Sequence, residues 1–389
     1  MALNVLILHS RYLSWIASGE NRVVEDEARL LKEAGHEVVV WDPPFAPDMP
    51  GRTRRGVEAI WSIEAARQVR ALIRKHKPDV VHAHNIFPTL SPASLRVAAQ
   101  ENVAVVMTLH NYRLMCLPGT LLRRGKICEL CVGKSPWNGV RYRCLRGSLP
   151  GSIALASSLV LHRRIQSFDD VTLYLAISEF LASKHVEAGL EAERIRVKHH
   201  FSWGSPQRSR TGDYFLFIGR LSSEKGVATL LEAWPGIDAS LLVVGDGPEA
   251  DRLKSSAPEG VHFAGAVSPH EVSGVLTGAR ALLVPSQWYE PATKVVLEAY
   301  ATGVPVLASR IGGLTEMVDE DVSGNLIDPD DPRAWAAAVR SLQDDITSER
   351  LGEGARRLWQ ERYTPEVGLK QLEACYEEAV QLSRAGRNQ

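Results

Sequence analysis

Several features are scarce in this chain of 389 residues, and each scarcity removes a class of function. Net charge is nearly absent: 45 Lys and Arg stand against 46 Asp and Glu, so no overall field exists to attract nucleic acid. No apolar run approaches the roughly 20 residues needed to cross a bilayer. The start, MALNVLILHS, lacks the charged-then-apolar layout of a secretory signal and reads as a first strand. Cysteine numbers only five, which, with no secretory segment, predicts a cytoplasmic protein without a disulfide framework. No short-period repeat is visible, and that excludes a solenoid.

What is present suits a folded globular protein. Hydrophobic residues make up 45% of the chain and charged residues 23%. The length exceeds what one hydrophobic core usually serves, so two domains are expected. Short β-rich runs alternate with amphipathic helical stretches. NVLIL (4–8), EVVVW (37–41), DVVHAH (79–84), VAVVMTLH (103–110), LYLAIS (173–178) and IRVKHHF (195–201) form a first series. YFLFIGR (214–220), SLLVVGD (240–246), GVHFAG (260–265), ALLVPS (281–286), PVLAS (305–309) and GNLID (324–328) form a second. This alternation predicts an α/β protein of two doubly wound, Rossmann-like domains facing across a cleft. The expected bounds are 1–205, with a cysteine-containing insert at 111–147, then 206–362. A final helix at 363–389 is expected to return to the first domain. Ligands of such sheets bind beyond the carboxyl ends of the strands.

One strand end stands out. QWYEPATKVVLEAYATG (287–303) places Glu290 in a turn and Glu298 farther on, with Pro291 expected in the first helical turn. Eight helical residues would set the two backbones roughly 12 Å apart. Glycosidase carboxyl pairs sit about 5–9.5 Å apart, so one extended ligand gripped at two places fits better than hydrolysis. The helix N-terminus expected between them offers free amides to a phosphate, and Thr293, Lys294 and Val295 are candidate donor-binding residues. Taken alone, the segment reads first as a capping acid followed by a solvated helical one. Arg220 and Lys225, flanking the turn GRLSSEKG at another strand end, add two cations suited to a diphosphate.

Together, GRLSSEKG, VVGDGPE, the EPATKVVLE unit and SRIGGLTEMV…SGNLIDPDD resemble the second domain of retaining glycosyltransferases of family 4, of GT-B fold. SGENRVVEDEARLLKEAGHEV, PDVVHAHN and TLHNY match the first domain more loosely. The resemblance implies retaining transfer of a sugar from a nucleoside-diphosphate donor, without a catalytic metal. It implies that Arg220 and Lys225 hold the diphosphate, Glu298 the ribose and Glu290 the transferred sugar. His110 would face the reacting sugar, and the loop around Gly19 and Glu20 would approach the donor phosphates or the acceptor. Two departures bear on the donor pocket. Ala292, Thr293 and Lys294 stand where an aromatic residue and a glycine are common, and Gly19 replaces a glycine pair. A catalytically silent relative that binds nucleotide sugars or partner proteins is the alternative.

Two further stretches lie outside that resemblance. Cys116, Cys128, Cys131 and Cys144 crowd an irregular segment with one C-x-x-C, a candidate structural zinc site or a set of free thiols. Arg141, Arg143 and Arg146 precede SIALASSLVLHRRI (152–165). Such a helix is a core element with a basic end, or one that lies on an anionic membrane at the inner face and reaches a lipid-linked acceptor.

Overall fold

The computed structural model describes residues 2–11, 19–43, 56 and 58–386. The described strands form two six-stranded parallel sheets and one short hairpin. The first sheet begins with β1 (Asn4–Leu8), β2 (Glu37–Trp41), β3 (Val80–Ala83) and β4 (Ala104–Leu109). The hairpin follows as β5 (Leu122–Arg123) and β6 (Lys126–Ile127), and the sheet resumes with β7 (Leu173–Ala176) and β8 (Ile195–Val197). The second sheet contains β9 (Tyr214–Ile218), β10 (Ser240–Val244), β11 (Val261–Gly265), β12 (Ala279–Val284), β13 (Val306–Ser309) and β14 (Gly324–Ile327). The orders are β2-β1-β3-β4-β7-β8 and β11-β10-β9-β12-β13-β14. Each therefore reverses direction once, between β1 and β3 and between β9 and β12. Those are the switch points at which doubly wound sheets bind ligands.

Contacts divide the chain into two units. One comprises Met1–Leu121, Glu129–His199 and Leu369–Gln389; the other comprises Leu122–Cys128 and His200–Gly368. The division falls at 199/200, six residues before the boundary expected from the linker composition, and the hairpin of the cysteine insert groups with the second unit.

The strands are nearly uniform in hydrophobicity because parallel strands covered by helices bury both faces. In the second sheet the two faces separate by residue parity. Phe215, Phe217, Leu241, Val243, Ala281 and Leu283 build one core, while Leu216, Val244, Leu282, Val284, Val306 and Ala308 build the other. In the first unit, Val5, Ile7, Val80, Val106 and Leu173 pack with Val24, Ala28 and Leu31 of the helix Gly19–Glu33. Leu372, Cys375, Tyr376 and Ala379 of the last helix, Pro365–Gly386, complete the same core.

One local expectation is corrected. The helix after β12 starts at Lys294, not at Pro291, with Thr293 as its extended N-cap (φ −137°, ψ 128°). The Glu290 carbonyl accepts from the amide of Gly313 at 2.7 Å, which holds the turn in place ahead of the helix. Glu298 thus lies about one turn inside the helix, and the 12 Å helical separation from Glu290 does not apply.

Tyr376 is fully buried, and its hydroxyl lies 2.8 Å from His82 Nδ1. Tyr376→Ala is expected to destabilise the protein by about 3–5 kcal/mol, and Tyr376→Phe by about 1 kcal/mol. Urea titration of both variants checks this; equal losses would mean that the ring contributes nothing beyond its hydroxyl.

Candidate functional site

In the first unit, three histidines gather at neighbouring strand ends. His9 follows β1, His84 follows β3 and His110 follows β4. His84 Nδ1 lies 2.9 Å from His110 Nε2, with the rings stacked. His9 Nε2 lies 2.8 Å from Asn21 Oδ1. Beside His110, the Asn111 amide donates to Glu20 Oε1 at 2.8 Å, so the start of the first helix is tied to the end of β4. Gly19 is exposed, and a Cβ there would meet nothing within 4 Å. Residues 12–18, which precede it in that loop, lie outside the described residues.

Behind the histidines sits a buried ion pair that the sequence reading did not find. Glu27 and Lys198 are each 1% exposed, and the Lys198 ammonium donates to Glu27 Oε1. Burial works to raise the Glu27 carboxyl pKa, but Lys198 and His82 together bring it below its ordinary value. His82 donates and accepts between Tyr376 and Thr108, its Nε2 lying 2.7 Å from Thr108 Oγ1. Burial pushes His82 down to about 4 and lowers His84 and His110 as well, so all three rings are neutral near pH 7. Glu27, His82 and His84 are the one His/Cys/Asp/Glu group of ligand-like spacing among the described residues. Lys198 already supplies the cation there, and both His82 nitrogens are engaged.

A signal for this pair was present. In ENRVVEDEARLLKEAG the buried positions run Val23, Val24, Glu27, Ala28, Leu30 and Leu31, so Glu27 falls on the apolar stripe. An acid in that phase needs a buried partner.

The second unit builds its own constellation at the β9/β12 switch point. The turn after β9 passes so close to the turn after β12 that a Cβ on Gly226 (φ +71°) would lie 1.8 Å from the Pro285 carbonyl oxygen. Only glycine fits. This approach brings Lys225 to Glu290, with Nζ 2.7 Å from Oε2. Ser286 Oγ and Trp288 Nε1 donate to the same oxygen at 2.9 and 3.0 Å. All three donors converge on Oε2 of a side chain only 5% exposed. The Gly312-Gly313 pair closes the turn from the other side. A Cβ on Gly312 (φ +60°) would fall 2.7 Å from the Glu290 carbonyl oxygen.

Thr293 makes no side-chain cap to the helix Lys294–Thr302. Lys294 is half-buried, its ammonium 5.8 Å from the centre of the Phe201 ring. Glu298 is half-buried, and Arg220 is exposed. Lys225 is thus engaged by Glu290 rather than projecting alone beside Arg220. Ser286 and Trp288 are further parts of the site that the sequence reading did not name.

The cysteines do not assemble as expected for zinc. Cys116 is buried, and its burial raises the thiol pKa; Cys131 and Cys144 are half-buried. These three, all in the first unit, enter no group of ligand-like spacing. Cys128 ends the hairpin segment that belongs to the second unit. No chemistry is derived from a metal there.

Comparison with known proteins adds independent findings. Residues 202–358 match the family Glycosyl transferases group 1, and residues 17–201 match Glycosyltransferase Family 4. D-inositol 3-phosphate glycosyltransferase of Acidothermus cellulolyticus is 31% identical over 394 residues, covering 87% of this chain and 81% of that protein. Sucrose-phosphate synthase from Thermosynechococcus elongatus superposes with a TM-score of 0.71 at 19% identity, over 97% of this chain and 98% of the other. Anabaena Alr3699/HepE, solved in complex with UDP-glucose, superposes with a TM-score of 0.65 at 18% identity, over 96% and 98%.

The neutral buried histidines have a consequence for stability. His82 and His185 are each held at about 4 by burial, below the unfolded value of about 6.5. A lowered histidine contributes stability that is complete above the unfolded value and is lost as pH falls, because the unfolded chain then binds the extra protons. Unfolding free energy is expected to fall from pH 7 to pH 5, with a slope that approaches about 1.4 kcal/mol per pH unit for each such histidine only below its unfolded value. Urea titrations at three pH values check this, and a flat profile would contradict it.

Proposed function

Because the chain belongs to glycosyltransferase family 4, of GT-B fold, we propose that it moves a hexose from a nucleoside-diphosphate sugar to a glycan or lipid-linked acceptor with retention of configuration. The observation that carries the reading is Glu290. Its Oε2 is fixed by Lys225, Ser286 and Trp288, and the helix Lys294–Thr302 begins four residues later. A carboxylate so held accepts hydroxyl hydrogens from a sugar and donates nothing. The nearby amides of Lys294 and Val295 suit a phosphate, as does the exposed guanidinium of Arg220. Glu298 would take the ribose hydroxyls. UDP is the donor base first to be tried, since HepE binds UDP-glucose.

In the proposed step the acceptor oxygen bonds to the anomeric carbon on the face from which the diphosphate departs. The carbon–phosphate-oxygen bond breaks, and the acceptor proton passes to the departing phosphate oxygen. No protein base is needed. The protein positions substrates and stabilises the leaving charge. His110, neutral in its buried setting, would orient the reacting sugar by hydrogen bonding, with the Glu20 end of the first helix tied beside it.

The surface of residues 130–168 supports an acceptor at a membrane in polysaccharide or glycoconjugate synthesis. This stretch holds Lys134, Arg141, Arg143, Arg146, Arg163 and Arg164 and not one Asp or Glu. It also exposes Leu130, Trp137, Tyr142, Leu149, Ile153 and Leu161, half of the twelve large exposed apolar side chains described. Apolar and aromatic side chains among basic ones suit an anionic lipid surface. Among the described residues no helix is long and apolar enough to cross a membrane.

Donor hydrolysis and transfer across a panel of UDP-, GDP- and other activated sugars test the reading. Glu290→Ala and His110→Ala are each expected to lower turnover by about two orders of magnitude or more with the circular dichroism unchanged. Near-normal turnover in either removes that residue from the site, and inactivity of the wild type on every donor favours the silent relative. Sedimentation with anionic vesicles at low salt is expected to retain the protein, and Arg141→Glu/Arg143→Glu/Arg146→Glu to release it. Equal binding to neutral vesicles, or none to anionic ones, excludes the membrane surface.

A further inference from the structure

Among the buried polar atoms of the first unit without a hydrogen-bond partner are His84 Nε2 and Glu27 Oε2, which face one another at 3.5 Å. Buried polar atoms rarely stay unpaired. The two resolve each other only if the His84 proton sits on Nε2 and points at the carboxylate. Alternatives for Oε2 are poor. Lys198 is engaged with Oε1, and His82 Nδ1, 4.0 Å away, is already 2.8 Å from the Tyr376 hydroxyl.

A neutral imidazole carries one proton, so a proton on Nε2 leaves His84 Nδ1 as an acceptor. Its partner at 2.9 Å is His110 Nε2, which must then be the donor. We propose that Glu27 and His84 are positioning residues that fix His110 as its Nε2–H tautomer, with Nδ1 carrying the lone pair. The order of contacts is Glu27 Oε2, His84 Nε2–H, His84 Nδ1, His110 Nε2–H. Lys198 keeps Glu27 ionised without competing for Oε2. Other charged or titratable groups near this line are His9, whose ring is edge-on to His84 at 6.4 Å, and Glu20, held by Asn111. Neither lies between the four atoms that set the tautomer. The catalytic consequence rests on His110 facing the reacting sugar; the tautomer itself does not.

Nitrogen-15 labelling of the histidine rings reads the tautomer directly, with the His110 signals assigned by their loss in His110→Gln. Wild type is expected to show His110 protonated on Nε2. The charge-neutral pair Glu27→Gln/Lys198→Gln is expected to shift His110 to a mixture. A wild-type proton on Nδ1, or unmoved His110 signals in a folded double variant, overturns the proposal. If the double variant does not fold, the wild-type tautomer and the His84 variants decide. His84→Phe is expected to lower kcat about tenfold or more while the donor KM stays within about threefold. His84→Asn, whose amide oxygen can replace Nδ1 as acceptor, is expected to recover most of that loss. Full kcat in His84→Phe, with His110→Ala inactive, overturns the positioning role. If His110→Ala is itself fully active, the reading of His110 fails, and the nitrogen-15 result still decides the tautomer.

Discussion

A carboxylate taken out of water must meet a cation and hydrogen-bond donors, or it takes up a proton and stops being an anion. Each unit of this protein solves that problem once, near the switch point of its sheet. Glu27 is held by Lys198 in the first unit, and Glu290 by Lys225 in the second. In both cases the lysine engages one carboxylate oxygen; in the first unit the other oxygen lies 3.5 Å from His84 Nε2, and in the second Ser286 and Trp288 donate to the same oxygen as the lysine. The surrounding geometry follows from this constraint. The backbone contact at Gly226 exists where Lys225 must reach Glu290.

In the proposed transfer the departing phosphate handles the proton. Fixed charges and fixed hydrogen bonds then matter more than groups that titrate. The described histidines of the first unit agree with that arrangement, since burial keeps His82, His84 and His110 neutral as hydrogen-bonding rings. Preorganised dipoles of this kind need no rearrangement when charge develops.

Much of this was legible in the sequence because parallel strands buried on both faces announce themselves as short apolar runs. All twelve strands of the two sheets fall on runs that the sequence marks, with ends shifted by a few residues. EPATKVVLE and GRLSSEKG were legible as strand-end turns, but their meeting was not, because Lys225 and Glu290 are 65 residues apart and the contact depends on how two turns cross. The start of the helix at Lys294 was missed because proline at a first turn is a local preference, and here the Gly313 amide takes the Glu290 carbonyl. The Glu27–Lys198 pair spans 171 residues, and only the misplaced acid on an apolar helical stripe hinted at it. Cysteine spacing suggested a metal, and among the described residues the four thiols enter no group of ligand-like spacing.

The last helix carries a consequence for biosynthesis. Leu372, Cys375, Tyr376 and Ala379 fill the interior of the unit that contains the N-terminus. A chain emerging from the ribosome has those residues still inside the exit tunnel when everything before them has been made. The half translated first therefore waits for the helix Pro365–Gly386 to seal it, while the half translated second can reach its finished form earlier. Order of synthesis and order of completion are inverted, and the interval between them is when the first half is most exposed to chaperones and proteases.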